Sequence, residues 1–252
     1  MTWITRNMLK CNPSKMEVVH FYSRYTQPNC SSVSIKVGGH QQEPLEEVRD
    51  LGVTLDSNLT FKAHVNKICR SASQSIHYIG KIRKFLTQKD TERLVHAFSS
   101  SNLDYCNGML HGFPSCDLQK LQRIQNTAAR LVVREKSVHI TPILFNLHWL
   151  PVQQRIIFKL LLVIFKTLNG FAPTYIADLF HQYTPARKLR SSNRNFLAIP
   201  KIRTETYGDK SFSCAAPRLW NSLPDSVKLC STVDNFKAKL KTHLFKIAFD
   251  QF

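Results

Sequence analysis

The sequence predicts an α+β fold that is predominantly α, with a small antiparallel sheet at its N-terminus, a helical bundle and then a basic extended arm. Three observations lead there. Short β-branched and aromatic runs bounded by turn formers fill the first sixty residues. From Phe61 onward apolar residues recur at three- and four-residue spacing instead. Between Thr184 and Thr206 neither period is visible, and basic residues alternate with apolar ones.

Each element follows from its own signal. Strands are expected at Met16 to Ser23, Ser32 to Val37 and Arg49 to Asp56, with turns at Gly38-Gly39 and Asp56-Ser57-Asn58. Phe61, Val65, Ile68, Ala72, Ile76 and Ile79 make one apolar helix face, and Lys67, Arg70, Lys81 and Lys84 fall on the opposite side. Thr87 and Asp90 form a capping-box pattern for a second helix carrying Leu94, Val95 and Phe98 inward. A third starts near Ser115 to Asp117, with Leu121, Ile124, Ala128, Leu131 and Val132 inward. On it Lys120, Arg123, Arg130 and Arg134 share one narrow stripe. Pro151 opens a fourth helix, which ends at Asn169-Gly170 with Pro173 beyond. Ser231 or Thr232 caps a last one, with Phe236, Leu240, Leu244 and Ile247 buried and Lys237, Lys239 and Lys241 outside. The expected divisions are 1–60, 61–183 and 184–252. There are no internal repeats.

Composition narrows the functional class. A chain of 252 residues buries roughly 70–75% of its unfolded surface, enough for one large domain or two small ones. The net charge is +18, and it is uneven: residues 1–50 hold six Lys/Arg against five Asp/Glu, and the remainder holds 29 against 12. Such an excess on a folded body points to a polyanionic partner, nucleic acid first. No apolar run reaches the ~18–20 residues of a membrane span; Leu160 to Phe165 is fenced by Lys159 and Lys166. No membrane partner is expected, and no secretory signal, because the first fifteen residues contain no apolar core segment. Seven cysteines without a CxxC pair read as reduced thiols, so the expected location is intracellular. Composition does not separate nucleus from cytoplasm.

Several ordered segments carry a family resemblance. Leu9-Lys10-Cys11-Asn12-Pro13-Ser14-Lys15-Met16-Glu17 leads into Val18-Val19-His20-Phe21, and Asp50-Leu51-Gly52-Val53-Thr54-Leu55-Asp56 follows. Next come Leu103-Asp104-Tyr105-Cys106-Asn107, Leu121 to Arg130, His139-Ile140-Thr141-Pro142 and Leu147-His148-Trp149-Leu150-Pro151-Val152. Arg155-Ile156, Phe158-Lys159, Asn169-Gly170-Phe171-Ala172-Pro173, Tyr207 to Phe212 and Ala215 to Pro224 complete the series. In this order they resemble the reverse transcriptases of LINE-type (non-LTR) retrotransposons, of the jockey-like and chicken-repeat-like kind. The departures are Met16 between Lys15 and Glu17, where the family reads Lys-Thr-Glu, and Cys11 in place of an apolar residue. The resemblance implies that residues 1–60 are a remnant of the last palm strands, 61–183 a thumb-like region, and 184–252 a C-terminal arm and helix. It also implies that this transposable-element fragment starts after the catalytic box of its RNA-directed DNA polymerase parent.

Catalysis by this chain alone is therefore not expected. Two-metal nucleotidyl transfer needs paired carboxylates, which the family supplies partly as Asp-Asp, and no Asp-Asp dipeptide occurs here. No cofactor is expected, Mg²⁺ belonging to the complete parent enzyme. There is no HExxH and no zinc spacing. Lys15 is the one inherited catalytic candidate, through its place in the family turn.

Binding is the expected residual capability. Arg187, Lys188, Arg190, Arg194, Lys201, Arg203, Lys210 and Arg218 fall close together in the arm region, interleaved with Tyr183, Phe196, Tyr207, Phe212 and Trp220. Arginine forks suit phosphate, and exposed aromatics stack on unpaired bases. Phe212 and Trp220, flanked by Ala215-Ala216 and Leu219, read as core instead. The arm, the stripe Lys120, Arg123, Arg130, Arg134, and the helix-face set Lys67, Arg70, Lys81, Lys84 form the expected surface. It would hold RNA or an RNA/DNA duplex by its backbone, without sequence preference. Two other readings are a polymerase completed in trans by a separate palm, and a protein-interaction module whose exposed apolar helix faces self-associate.

Overall fold

The computed structural model describes residues 3–10, 12, 15–23, 34–37, 40–135, 137–184, 195–202 and 207–250. The fold is α+β and mainly helical, and among the described residues the strands form three two-stranded sheets. The chain divides into two units, 1–67 and 68–252.

In the first unit, α1 (Trp3–Arg6) precedes β1 (Val18–Val19), β2 (Ile35–Val37), β3 (His40–Gln42), β4 (Pro44–Leu45), β5 (Glu47–Asp50) and β6 (Val53–Asp56). The expected single antiparallel sheet is corrected: β2–β3 and β5–β6 pair antiparallel, but β1 pairs with β4 in parallel. The expected turn at Gly38-Gly39 lies outside the described residues. Arg49 to Asp56 is a hairpin and not one strand. Asp50 pairs with Val53, so Leu51 and Gly52 form a two-residue loop. Both lie in the left-handed region, Leu51 at φ 43° and Gly52 at φ 88°, which a type I′ hairpin turn demands. Glu17 accepts from the Arg49 amide at 3.1 Å, tying the opening turn to β5.

Asp56 ends the strands and starts the helices. Its Oδ1 accepts from the amides of Asn58 (3.3 Å) and Thr60 (2.9 Å), and its Oδ2 from that of Phe61 (2.6 Å). Leu59 and Phe61, both non-glycine, sit at φ 50° and 54°. Such conformations persist only where surrounding bonds fix them, and the Asp56 carboxylate provides those bonds. The chain then enters α2 (Lys62–Ile82).

The second unit continues with a 3₁₀ turn (Arg83–Phe85), α3 (Gln88–Val95), a π-helical turn (His96–Ser100), α4 (Ser101–Asp104) and a second 3₁₀ turn (Asn107–Leu110). The longer helices α5 (Ser115–Val133), α6 (Ile140–Asn146) and α7 (Val152–Leu168) follow. After them come α8 (Thr174–Ala177), α9 (Phe212–Ser222), α10 (Asp225–Lys228) and α11 (Val233–Phe249). The Thr87 cap forms as the sequence predicts, its hydroxyl accepting from the Asp90 amide at 3.1 Å and donating to Asp90 Oδ2 at 2.6 Å.

Three expectations for this unit change. Phe98 is 56% exposed, because the wider π-helical turn rotates the face after α3 and turns Ser99 and Ser100 inward instead. The division 184–252 holds more than an extended arm and one helix: residues 195–202 are non-helical, with a bridge from Leu197 to Gln182, and beyond the arm Phe212 to Ser222 forms a helix of its own. Pro217 inside α9 lacks the amide that would continue the ladder, which hides that helix from a period search. Ile247 is 56% exposed.

Two cores explain that last change. One gathers Leu161, Ile164 and Phe165 of α7 with Ala216 and Trp220 of α9 and Phe236, Leu240 and Leu244 of α11. Phe165 and Phe236 stack with centroids 4.1 Å apart. The other gathers Ile76 and Ile79 of α2, Val95 of α3, Ala128, Ala129 and Val132 of α5, and Ile143 and Leu144 of α6. Helix α11 begins in the first core and ends in the second through Phe245 and Phe249. Its buried face therefore drifts, and Ile247 falls outside it.

Candidate nucleic-acid interface

The basic residues that the structure brings together lie where α2 ends against α5. A helix C-terminus leaves carbonyls without intrahelical donors, and here Arg83 supplies them. Its Nε donates to Leu131 O at 2.9 Å, its Nη2 to Val132 O at 2.7 Å and its Nη1 to Leu86 O at 2.8 Å. Burial, with Arg134 nearby, lowers the Arg83 pKa, yet a guanidinium stays charged. A cation at this end also opposes the α5 dipole. Arg134 is the C-cap of α5 at φ 61°, and its Nη2 donates to Arg83 O at 2.7 Å. The two arginines lock the ends of α2 and α5 reciprocally.

Beside this lock is a groove of about 550 Å³, walled by Ile76, Gly80 and Leu131 and by Arg83, Lys84, Arg130 and Arg134. Among the described residues no carboxylate lines it. Arg130 is half-buried; its Nη2 reaches Val138 O at 3.3 Å, while its buried Nε has no hydrogen-bond partner among the described residues. On the exposed side of α2 and the turn after it, Lys81 sits over the exposed Tyr78 ring at 5.5 Å and Lys84 over the exposed Phe85 ring at 4.8 Å. Cations and aromatics thus alternate along the end of α2.

The other expected residues are dispersed. Lys120 is hydrogen-bonded to the buried Asp117 at 2.8 Å, which raises its pKa; that cation is engaged in an ion pair one turn back. Arg123 is exposed. Lys67 is exposed in the first unit, and Arg70 is exposed in the second. Lys201 is exposed in the extended stretch. Lys15 is exposed, its amide donating to Asn12 O at 3.1 Å. Arg187, Lys188, Arg190, Arg194 and Arg203 lie outside the described residues. Arg218 pairs with Asp209. Trp220 is buried, its Nε1 donating to Asn195 O at 2.9 Å, and Phe212 packs edge-on against Phe180.

Sequence reasoning passes over Arg83, Tyr78 and Phe85. Arg83 has a legible signal, since it falls seven residues after Ile76 and four after Ile79 on the buried face. Tyr78 and Phe85 carry none beyond being aromatic on a basic face. Among the described residues no three His, Cys, Asp or Glu side chains gather as a metal site, and no helix is long and apolar enough to cross a membrane. Burial pushes the Cys69 thiol up, away from a reactive thiolate.

No protein-family model matches this chain, and neither the curated proteins nor the solved structures contain a significant match to it.

Proposed function

We propose that this chain is a fragment of a LINE-type reverse transcriptase without its catalytic palm, and that it binds RNA or DNA by the backbone without sequence preference. The observation that carries the binding is the groove lined by Arg83, Lys84, Arg130 and Arg134, with no carboxylate in its lining among the described residues. Phosphates are drawn to such a groove by charge. Tyr78 and Phe85, 64% and 77% exposed beside Lys81 and Lys84 elsewhere on the same helix end, offer faces on which unpaired bases stack. An unpaired or partly unpaired strand is therefore the preferred ligand. The quoted motifs support descent from the reverse-transcriptase family; the net charge of +18 supports a polyanionic partner.

Fluorescence anisotropy with a labelled single-stranded RNA tests the reading. With about six phosphates neutralised, affinity should fall roughly a thousandfold between about 50 and 200 mM salt. Lys81→Gln and Lys84→Gln, both exposed and neither a donor in the arginine lock, should each lower the log–log salt slope by about one. Affinity that is unaffected by salt, or by both substitutions, would overturn it.

A further inference from the structure

Glycine is the poorest helix former after proline, and a fold keeps it where the backbone conformation or a close approach requires it. Gly112 meets both conditions: it sits at φ 72°, and a Cβ there would lie 3.0 Å from Lys210 Cγ. Gly80 meets neither within this chain. It falls in the last turn of α2, and the helical run continues beyond it through the 3₁₀ turn to Phe85. A Cβ at position 80 would meet only Leu131 Cδ1 among the described residues, at 3.9 Å, an ordinary van der Waals contact. Internal packing therefore accepts alanine, the better helix former.

The missing side chain leaves its space on the outside. Gly80 is exposed and shares the floor of the 550 Å³ groove with Ile76 and Leu131. The cationic wall is tied to that floor by short bonds. Arg83 Nε donates to Leu131 O at 2.9 Å, and Arg134 Nη2 donates to Arg83 O at 2.7 Å. Arg83 spends all three of its nitrogens on carbonyls. Lys84 and Arg134 are exposed, and a guanidinium has five N–H donors, so Arg134 keeps some for a ligand. A long side chain at position 80 would take up part of the floor beside these cations.

We infer that Gly80 is bare so that a polynucleotide strand passes close against α2, its phosphates reaching Lys84 and Arg134. The inference rests on the nucleic-acid reading above and makes Gly80 a positioning residue of that interface, although it offers neither charge nor a hydrogen-bonding side chain.

Fluorescence anisotropy on the full chain, with the labelled single-stranded RNA, tests this through substitutions on α2. Gly80→Leu should melt no lower than wild type, because leucine favours the helix, yet bind at least about tenfold more weakly at about 150 mM salt. Its log–log salt slope should fall by about two, as the strand is lifted off two cations. Gly80→Gln, of similar reach but polar, should match it, and Gly80→Ala should lose less affinity. Gln74→Leu adds the same side chain at an exposed position of α2 outside the groove lining, and should bind as wild type. Wild type that fails to bind overturns the nucleic-acid reading and this inference with it. Steeply salt-dependent binding by wild type, matched by folded Gly80→Leu and Gly80→Gln proteins, overturns this inference alone. Equal losses in Gly80→Ala and Gly80→Leu would trace the effect to helix stiffness and overturn it too. Polyglutamate that binds wild type as tightly as RNA, and loses as much in Gly80→Leu, would overturn the assignment of the groove to nucleic acid.

Discussion

In residues 1–67 side chains fasten the backbone, Asp56 alone accepting from three amides, whereas residues 68–252 are filled by aromatic and aliphatic side chains in two continuous cores. The first unit buries little large apolar surface: Val48, Val53, Phe61 and Val65 are its buried hydrophobic residues among those described. The second stacks Phe165 on Phe236 and brings Trp220 within 6.2 Å of Phe236. Isolated two-stranded pairs are marginal in water, so the first unit relies on polar fastening, and the second relies on burial. The difference teaches where each unit should fail: at a carboxylate or an imidazole in one, at a ring in the other.

The largest expected effect comes from breaking the second unit at its centre. Phe236→Ala removes a fully buried ring and its stacking on Phe165, and should cost about 3–5 kcal/mol by chemical denaturation. A cost below about 1 kcal/mol would mean that the core collapses around the gap and that burial is not the main support. Arg83→Met comes next. It strips three backbone carbonyls of their donors and should destabilise by about 2–4 kcal/mol. It also sharpens the comparison, because here the burial-held unit depends on one polar lock. A wild-type melting curve for Arg83→Met would show that water replaces those donors.

How much of this was legible in the sequence follows the same division. In the helical unit the 3.6-residue period fixes the inward faces of α2 and α5, where Ile68, Ala72, Ile76 and Ile79 and Leu121, Ala128 and Val132 are buried. It fails where one helix serves two cores, as at Ile247, and where a π-helical turn shifts the phase, as at Phe98. In residues 1–67 alternation finds strand-forming content but not pairing: Asp50-Leu51-Gly52-Val53 hides a hairpin within one apparent strand. Of the candidate interface, the exposed charges are readable from the helical wheel. Their partners are not. Lys120 is taken by Asp117 three residues away, but Arg134 and Arg83 are bound across 51 residues.

Asp56→Ala is expected to be the third largest effect, about 1.5–3 kcal/mol, because the amides of Asn58, Thr60 and Phe61 lose a charged acceptor. Without them Leu59 and Phe61 lose what holds them in the left-handed region. Amide exchange should report it: the amides of Thr60 and Phe61 should lose protection, while those of α7 should keep theirs. Equal loss in both places would remove the distinction between the units.

The smallest effect is a pH dependence, and its sign follows from His64. Its side chain is 5% exposed, and Nδ1 accepts from the Thr54 amide at 3.4 Å, which requires that nitrogen to be unprotonated. Burial first, and then the Lys67 charge, lower its pKa from the ordinary 6.5. The unfolded chain therefore takes up this proton at higher pH than the folded one. The contribution is intact above about pH 6.5 and declines as pH falls from there towards the folded-state value. His111, lowered by burial, and His243, lowered by burial and Lys246, act with the same sign in the helical unit. Wild-type unfolding alone mixes the three. His64→Gln keeps an acceptor for Thr54 and removes the titration, so the difference between wild type and variant isolates the first unit. That difference should shift in favour of the variant as pH drops from 7 to 5, with the Thr54 amide as the local reporter. A difference that stays constant over this range would mean that His64 protonates freely in the folded state, and that the first unit is not fastened through it.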